Sequence, residues 1–278
     1  MPKNLTTFAV MKLVFFISLL ILISCTKDKV SADIIKDYIH VSHTRLNDNS
    51  DINPISKSIN YLNYDLTLLG GDLAFETSVD NATMDLIENT FQISSNKTLW
   101  SLGNHDYTDT SLIRNYTNRR PFYSFFHNDI TFLVLDTQQD NCSIINEQLE
   151  LFNNVTDTIS SSSHLVILTH KLIWMVDHPV LHSQIPNVSN GQLDSFSYSL
   201  YPNNFYSTIY PRLKEVRSKN IEVVCLAGDL GLFNNRFEYK TTDGITYLAS
   251  GLEAGSSNER YLVLHHNISK RELSWEYQ

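Results

Sequence analysis

Gly103-Asn104-His105-Asp106 places an amide, an imidazole and a carboxylate side by side, directly after the short apolar run Thr98-Leu99-Trp100. An amide or carboxylate oxygen can ligate a metal ion. An imidazole can ligate one or carry a proton, and a carboxylate can orient that imidazole. Similar groups recur at the ends of other apolar runs. Asp72 follows Leu66-Thr67-Leu68-Leu69 through Gly70-Gly71, His170 follows Leu165 to Leu168, and Asp229 follows Val223 to Leu226. His43, two residues before Arg45, follows Tyr38 to Val41. Runs of this length read as buried strands. Loops at the carboxyl ends of such strands are where α/β sheets carry ligands. Core packing does not explain five polar or charged positions of this kind.

The elements that must position these residues alternate. Strands are predicted at Tyr38 to Val41, Leu66 to Leu69, Thr98 to Leu102, Ile130 to Leu135, Leu165 to Leu168 and Val223 to Leu226. Helices are predicted from Asn53-Pro54 through Ile55, Ile59 and Leu62, and over Asp80 to Gln92, Glu147 to Phe152 and Ile209 to Arg217. Further strands follow at Ile245 to Leu248, Tyr261 to His265 and Leu273 to Tyr277. Little polar alternation inside the strands argues for sheets covered on both faces, an α/β class. Periodicity alone does not choose between one sheet and two. Residues 171 to 204 form the least regular part, an expected excursion over the site. It contains His178 and His182, read as loop histidines because Pro179 lies between them.

The middle motifs resemble the calcineurin-like metallophosphoesterases, whose order is Asp-x-His, Gly-Asp, Gly-Asn-His-Asp, a lone His and Gly-His-x-His. Gly71-Asp72, Gly103 to Asp106 and His170 match in order. The resemblance covers roughly residues 36 to 265. It implies a four-layer α/β/β/α sandwich, a divalent metal centre and hydrolysis of a phosphate mono- or diester. It also implies Asp72 as the bridging ligand, Asn104 and His170 as ligands of one ion, and His105 as proton donor to the leaving oxygen, oriented by Asp106.

The end motifs depart from the family pattern. Ser42-His43-Thr44-Arg45 stands for Asp-x-His, and Gly228-Asp229-Leu230-Gly231 stands for Gly-His-x-His. Asp229 can replace a His ligand, so one site stays complete as Asp72, Asn104, His170 and Asp229. The other keeps only Asp72 and His43, because Arg45 has no lone pair to give and Gly231 has no side chain. The expectation is therefore one ion, Mn, Fe or Zn, with Arg45 taking the place of a second and binding phosphate oxygens. Two ions remain the alternative. The other open alternative is a catalytically inactive member that binds a phosphorylated or glycan ligand in the cell envelope.

The 278 residues carry a net charge of -9 at 42% hydrophobic and 18% charged content, which fits a folded domain of sizeable core. Without a Lys/Arg-rich block, no nucleic-acid partner is indicated. Lys12 and the apolar run Leu13 to Ile23 have the shape of a secretory signal, too short to span a membrane comfortably. Leu22-Ile23-Ser24-Cys25 resembles a bacterial lipobox. That implies cleavage after residue 24, lipidation of Cys25, a tether over 25–35, a phosphoesterase domain over 36–278 and a place in the cell envelope. An ordinary signal peptide and an uncleaved anchor are the alternatives. Three cysteines do not make a disulfide framework. Cys225 is expected in the core and Cys142 in a polar loop.

Overall fold

The computed structural model describes residues 33–193, 199–253 and 258–278. The strands are β1 (Ile35–Val41), β2 (Leu66–Leu69), β3 (Thr98–Trp100), β4 (Tyr123–His127), β5 (Ile130–Val134), β6 (His164–Thr169), β7 (Glu222–Ala227), β8 (Arg236–Lys240), β9 (Thr246–Ser250), β10 (Leu262–Asn267) and β11 (Glu272–Tyr277). The helices are α1 (Pro54–Ser58), α2 (Asn81–Phe91), α3 (Thr110–Thr117), α4 (Asn146–Thr158), α5 (Ile185–Val188) and α6 (Tyr210–Ser218). One sheet has the order β11-β10-β1-β2-β3 and the other β4-β5-β6-β7-β9-β8. Within them β1-β2-β3 and β5-β6-β7-β9 run parallel.

The missing polar alternation has a simple cause: both faces of each central strand are buried. In β6, Val166 and Leu168 enter the layer between the sheets, where they join Leu66, Leu68 and Leu99 of the other sheet. Leu165 and Ile167 point the other way, into a cluster with Phe152 and Val155 of α4 and Leu213 and Val216 of α6. In β1, Tyr38 joins the middle layer, while Ile39 and Val41 pack outward with Met84, Ile87 and Phe91 of α2. Three apolar layers separate four layers of structure. This is the α/β/β/α sandwich that periodicity could not select over a single sheet.

Short polar side chains set the helix starts. Asn53, Asp80 and Asp109 accept backbone N–H groups of the first turns of α1, α2 and α3. The helix expected through Leu62 is shorter. It stops at Ser58, a separate turn covers Tyr61–Asn63, and Leu62 is exposed. In contrast, α4 extends well past Phe152 to Thr158. The weak patterns of β4, β8 and α3 gave no expectation, since edge strands and a short surface helix bury only one face.

Cys142 is buried rather than in a polar loop, because its turn tucks under the excursion; Cys142 and Cys225 are both free thiols. Phe125 packs toward the middle layer, while Phe126 on the opposite face of edge strand β4 is exposed. His266 is fully buried within hydrogen-bond distance of Tyr38 and Ser163. Ile34–Gln278 forms one unit that carries every element named above. The expected signal segment, Cys25 and most of the tether lie outside the described residues. Among the described residues, no helix is long and apolar enough to cross a membrane.

Candidate active site

The loops after β1, β2, β3, β6 and β7 bring His43, Asp72, Asn104, His105, His170 and Asp229 together, as their places after strands predict. They close on one another through backbone contact. The Ser42 hydroxyl donates to the Gly228 carbonyl across the two sheets, and the His43 N–H donates to the Gly71 carbonyl at 2.9 Å. Gly103 lies so near the Asp72 carboxylate and the His170 ring that a Cβ there would overlap both. His43 and Asp72 hold φ of 55° and 57°, a left-handed conformation costing non-glycine residues about 1–3 kcal/mol and typical of functional loops.

Asp72 is the geometric centre. Its Oδ1 accepts the His105 backbone N–H at 3.0 Å and lies 3.7 Å from His170 Nε2; its Oδ2 lies 3.9 Å from His43 Nε2. His170 Nδ1 is 2.6 Å from the Gly70 carbonyl, which can only accept, so Nδ1 carries the hydrogen and Nε2 presents a lone pair. That Nε2 is buried without a partner, and it is also 3.7 Å from Asp229 Oδ1. The same reasoning places the hydrogen of His43 on Nδ1, 3.0 Å from the Leu252 carbonyl. Burial lowers the His43 pKa to about 4, so its ring is neutral. Asp229 Oδ2 accepts the Gly191 N–H at 3.2 Å, which leaves Oδ1 toward His170.

Lone pairs therefore face lone pairs in a buried space, an arrangement that calls for a cation or a proton. The titration tendencies agree. Burial opposes the charge of His170, but the carboxylates of Asp72 and Asp229 outweigh it and raise its pKa. Burial raises the Asp229 pKa against the pull of His170. Burial also resists the charge of Asp72, yet the three neighbouring histidines hold its pKa down.

The spacing of the two His170 pairs can be set beside that of an ion's ligands. Two donors held at about 2.1 Å in a tetrahedral shell, about 109° apart, are roughly 3.4 Å from each other. The two His170 pairs at 3.7 Å stand slightly wider. Among the described residues, however, no group of three His, Cys, Asp or Glu side chains stands close enough to hold a metal ion as it is placed. Asn104 lines the same cavity and can offer a further oxygen.

That cavity, about 200 Å³, is lined by His43, Arg45, Asp72, Asn104, His105, Asn190, Asp229 and Leu232. Arg45 is held by its backbone N–H, which donates to the Asp72 carbonyl at 3.2 Å, while its Nε is buried and unpaired. Gly231 has φ of 140°, and a Cβ there would stand 3.0 Å from His43 Nδ1 and 2.9 Å from the Leu252 carbonyl. A side chain at position 231 would therefore press on the His43 ring and the Leu252 carbonyl.

The Asp106 carboxylate accepts the backbone N–H groups of Asp72, Leu73 and Gly103 at 2.9, 3.1 and 2.7 Å, the Thr77 hydroxyl, and the Trp100 indole at 3.3 Å. All five neighbours donate, which suits an ionised carboxylate. Burial and the charge of Asp72 push the other way and raise its pKa. The His105 ring is oriented by the Phe75 carbonyl, 2.5 Å from Nδ1. In this structure the Asp106 carboxylate fastens the loop, its oxygens taken up by those five donors.

The sequence reading missed Asn190, Leu232 and Phe75. Only the Ser189-Asn190-Gly191 turn composition, inside the expected excursion, hinted at the first. His178 and His182 act as loop acceptors: their Nδ1 atoms take backbone N–H groups of Val180, Leu181 and Asp177.

No family model and no curated protein sequence matches the chain. Among solved structures, a dimetal phosphatase from Danio rerio is similar with a TM-score of 0.54 at 8% identity, over 82% of this chain and 92% of that one. The Haemophilus influenzae NAD nucleotidase aligns with a TM-score of 0.43 at 15% identity, over 88% of this chain and 50% of that one. The phosphopantetheinyl hydrolase of Mycobacterium tuberculosis gives 0.41 at 11%, over 77% and 89%. At such identities the backbone path is what is shared, and the first of the three carries the comparison. The two facing sheets and their outer helices give this chain the α/β/β/α fold of the calcineurin-like metallophosphoesterases.

Proposed function

We propose that this protein is a metal-dependent phosphoesterase that hydrolyses a phosphate mono- or diester. The observation that carries the reading is the buried, unpartnered Nε2 of His170, set 3.7 Å from carboxylate oxygens of both Asp72 and Asp229. Asp72, Asn104, His170 and Asp229 would hold one divalent ion, Mn, Fe or Zn by their mixed nitrogen and oxygen character. When bound, the ion supplies positive charge that polarises the phosphoryl group. On the other side of Asp72, His43 keeps one ligand atom and Arg45 brings a fixed charge. The guanidinium binds phosphoryl oxygens and offsets charge that develops during transfer.

His105 carries the proton to the leaving oxygen. Because the Phe75 carbonyl fixes the hydrogen of Nδ1, Nε2 is the nitrogen that exchanges a proton with the substrate. Leu22-Ile23-Ser24-Cys25 supports a lipid anchor at Cys25 and work in the cell envelope. Fatty-acid labelling that persists in Cys25→Ser would remove that part of the proposal.

The deciding experiment is metal analysis after loading with Mn, Fe or Zn, together with hydrolysis of p-nitrophenyl phosphate and of its diester. About one ion per chain, lost with activity in Asp229→Ala and Asp72→Asn, is expected. A folded chain that binds no ion and releases no nitrophenol under any loading would refute the reading and leave a ligand-binding protein.

A further inference from the structure

We propose that Asn190, from the excursion over the site, binds a phosphoryl oxygen and forms with Arg45 a two-point clamp on the transferred group. The inference rests on the phosphoesterase reading and adds a residue outside the motifs that carry it.

Asn190 is held in place from two sides. Its backbone N–H donates to the Asp229 carbonyl at 3.1 Å, and its Oδ1 accepts the Leu232 N–H at 2.8 Å. A backbone N–H can only donate, so the atom facing Leu232 must be the oxygen. This fixes the amide: Nδ2 must be the other atom. Nδ2 is buried without a hydrogen-bond partner, on a residue only 8% exposed that lines the cavity. Buried amide donors are rarely left unpaired, and one that is calls for an explanation.

The cavity supplies the explanation. Its lining groups divide by chemistry. Asp72, Asp229 and the free ring nitrogen of His43 accept or ligate, and His170, 3.7 Å from both carboxylates, adds its own ring nitrogen beside them. Asn190 Nδ2 and the unpaired Nε of Arg45 can only donate. A cation satisfies the first set, and a tetrahedral oxyanion satisfies the second. A phosphoryl group offers several non-bridging oxygens to donors of this kind. The clamp also links the excursion to the centre, because the residue that donates Nδ2 is the one whose backbone holds Asp229.

Asn190→Asp tests the clamp cleanly. The carboxylate keeps an oxygen for the Leu232 N–H and keeps the side chain's shape, but replaces the donor with a charged acceptor. Orthophosphate binding to the purified full-length chain is measured by calorimetry, with metal content and thermal stability read on the same samples. Sulfate is titrated in parallel. Loss of a charge-assisted hydrogen bond should weaken orthophosphate binding about tenfold or more, with metal content unchanged. If Asn190→Asp loses metal, Asn190→Leu, which is uncharged and has no donor, is read in its place. Orthophosphate bound equally by wild type and a metal-replete variant would overturn this inference and leave the phosphoesterase reading standing. Sulfate bound as tightly as orthophosphate would overturn the assignment to phosphoryl groups. Wild-type chain that holds its ion but no orthophosphate would overturn the clamp, while activity would still decide the function.

Discussion

Asp106 separates two accounts of the Gly-Asn-His-Asp loop. If Asp106 orients His105, Asp106→Asn should spare the fold and shift the pH dependence of turnover. The geometry predicts the opposite. Asp106 Oδ2 accepts from Asp72 N–H, Gly103 N–H and Trp100 Nε1, and Oδ1 accepts from Leu73 N–H and the Thr77 hydroxyl. In Asp106→Asn, the single amide oxygen serves best toward the three Oδ2 donors. The NH2 group then faces the Leu73 N–H, donor against donor, and Thr77 turns its hydroxyl to accept. One buried N–H is left unpaired, which costs about 1–3 kcal/mol. In Asp106→Ala, three backbone N–H groups and the indole lose their acceptor. Even with partial relaxation that variant should lose about 4–5 kcal/mol, at the upper end of single-substitution effects. Urea unfolding of metal-stripped wild type and both variants gives these differences without a contribution from ion binding. Asp106→Asn within about 0.5 kcal/mol of wild type, the range of an ordinary surface change, would refute the fastener assignment. A shifted pH–rate profile in that same variant would restore the orienting role.

Two further outcomes follow from groups outside the metal ligands. Burial lowers the pKa of His164 to about 4, below its ordinary unfolded value near 6.5, so the folded state resists its protonation. This contribution is fully present above pH 6.5 and is lost as pH falls toward 4, by about 3 kcal/mol at about 1.4 kcal/mol per pH unit. Unfolding titrations at pH 7 and pH 4.5 should show a shallower acid loss in His164→Gln than in wild type; equal slopes would contradict it. Phe75 is exposed, with its ring 5.8 Å from that of His105, which lines the cavity. Phe75→Ala keeps the backbone carbonyl that orients His105. It should raise KM for aryl phosphates about two- to tenfold while leaving that for small alkyl phosphates near wild type. Equal effects on both substrates would mean that Phe75 is only structural.

Legibility in the sequence followed burial. Central strands such as β6 and β7 announce themselves because both faces are apolar, and the polar residues that end them stand out by contrast. Which face meets which layer was not legible. Val166 and Leu165 are chemically alike, and only tertiary packing sends one between the sheets and the other to the helices. Edge strands β4 and β8 were missed because one face of each is exposed, so neither shows the unbroken apolar run of a central strand. At the site, ligand types could be read from position, but hydrogen-bond partners could not. Asp106 looks like an orienting acid in a tetrapeptide; only the convergence of donors from residues 72, 73, 77, 100 and 103 makes it a fastener. Asn190 had no sequence signal beyond a turn, because its role depends on contacts to Asp229 and Leu232 across about 40 residues of chain.

The number of ions is decided on one side of Asp72. Its two carboxylate oxygens face histidine Nε2 atoms at nearly equal distances, 3.7 Å for His170 and 3.9 Å for His43, so possible ligand atoms stand on both sides of it. Asp229 completes the His170 side. The His43 side offers the guanidinium of Arg45 and the bare backbone of Gly231, which is pressed against His43. A permanent cation within that cavity disfavours a second divalent ion by direct repulsion, and Arg45 cannot release its proton to relieve it. Arg45→His removes the charge and adds a ligand type at a position whose backbone is already tied to the Asp72 carbonyl. Metal analysis should then move from about one ion toward two, with orthophosphate binding retained only where the second ion is present. If wild type already holds two ions, Arg45 does not stand in for a metal and other residues complete that side. If Arg45→His stays at one, the contact between Gly231 and His43 has closed the space, and charge alone does not explain the missing ion.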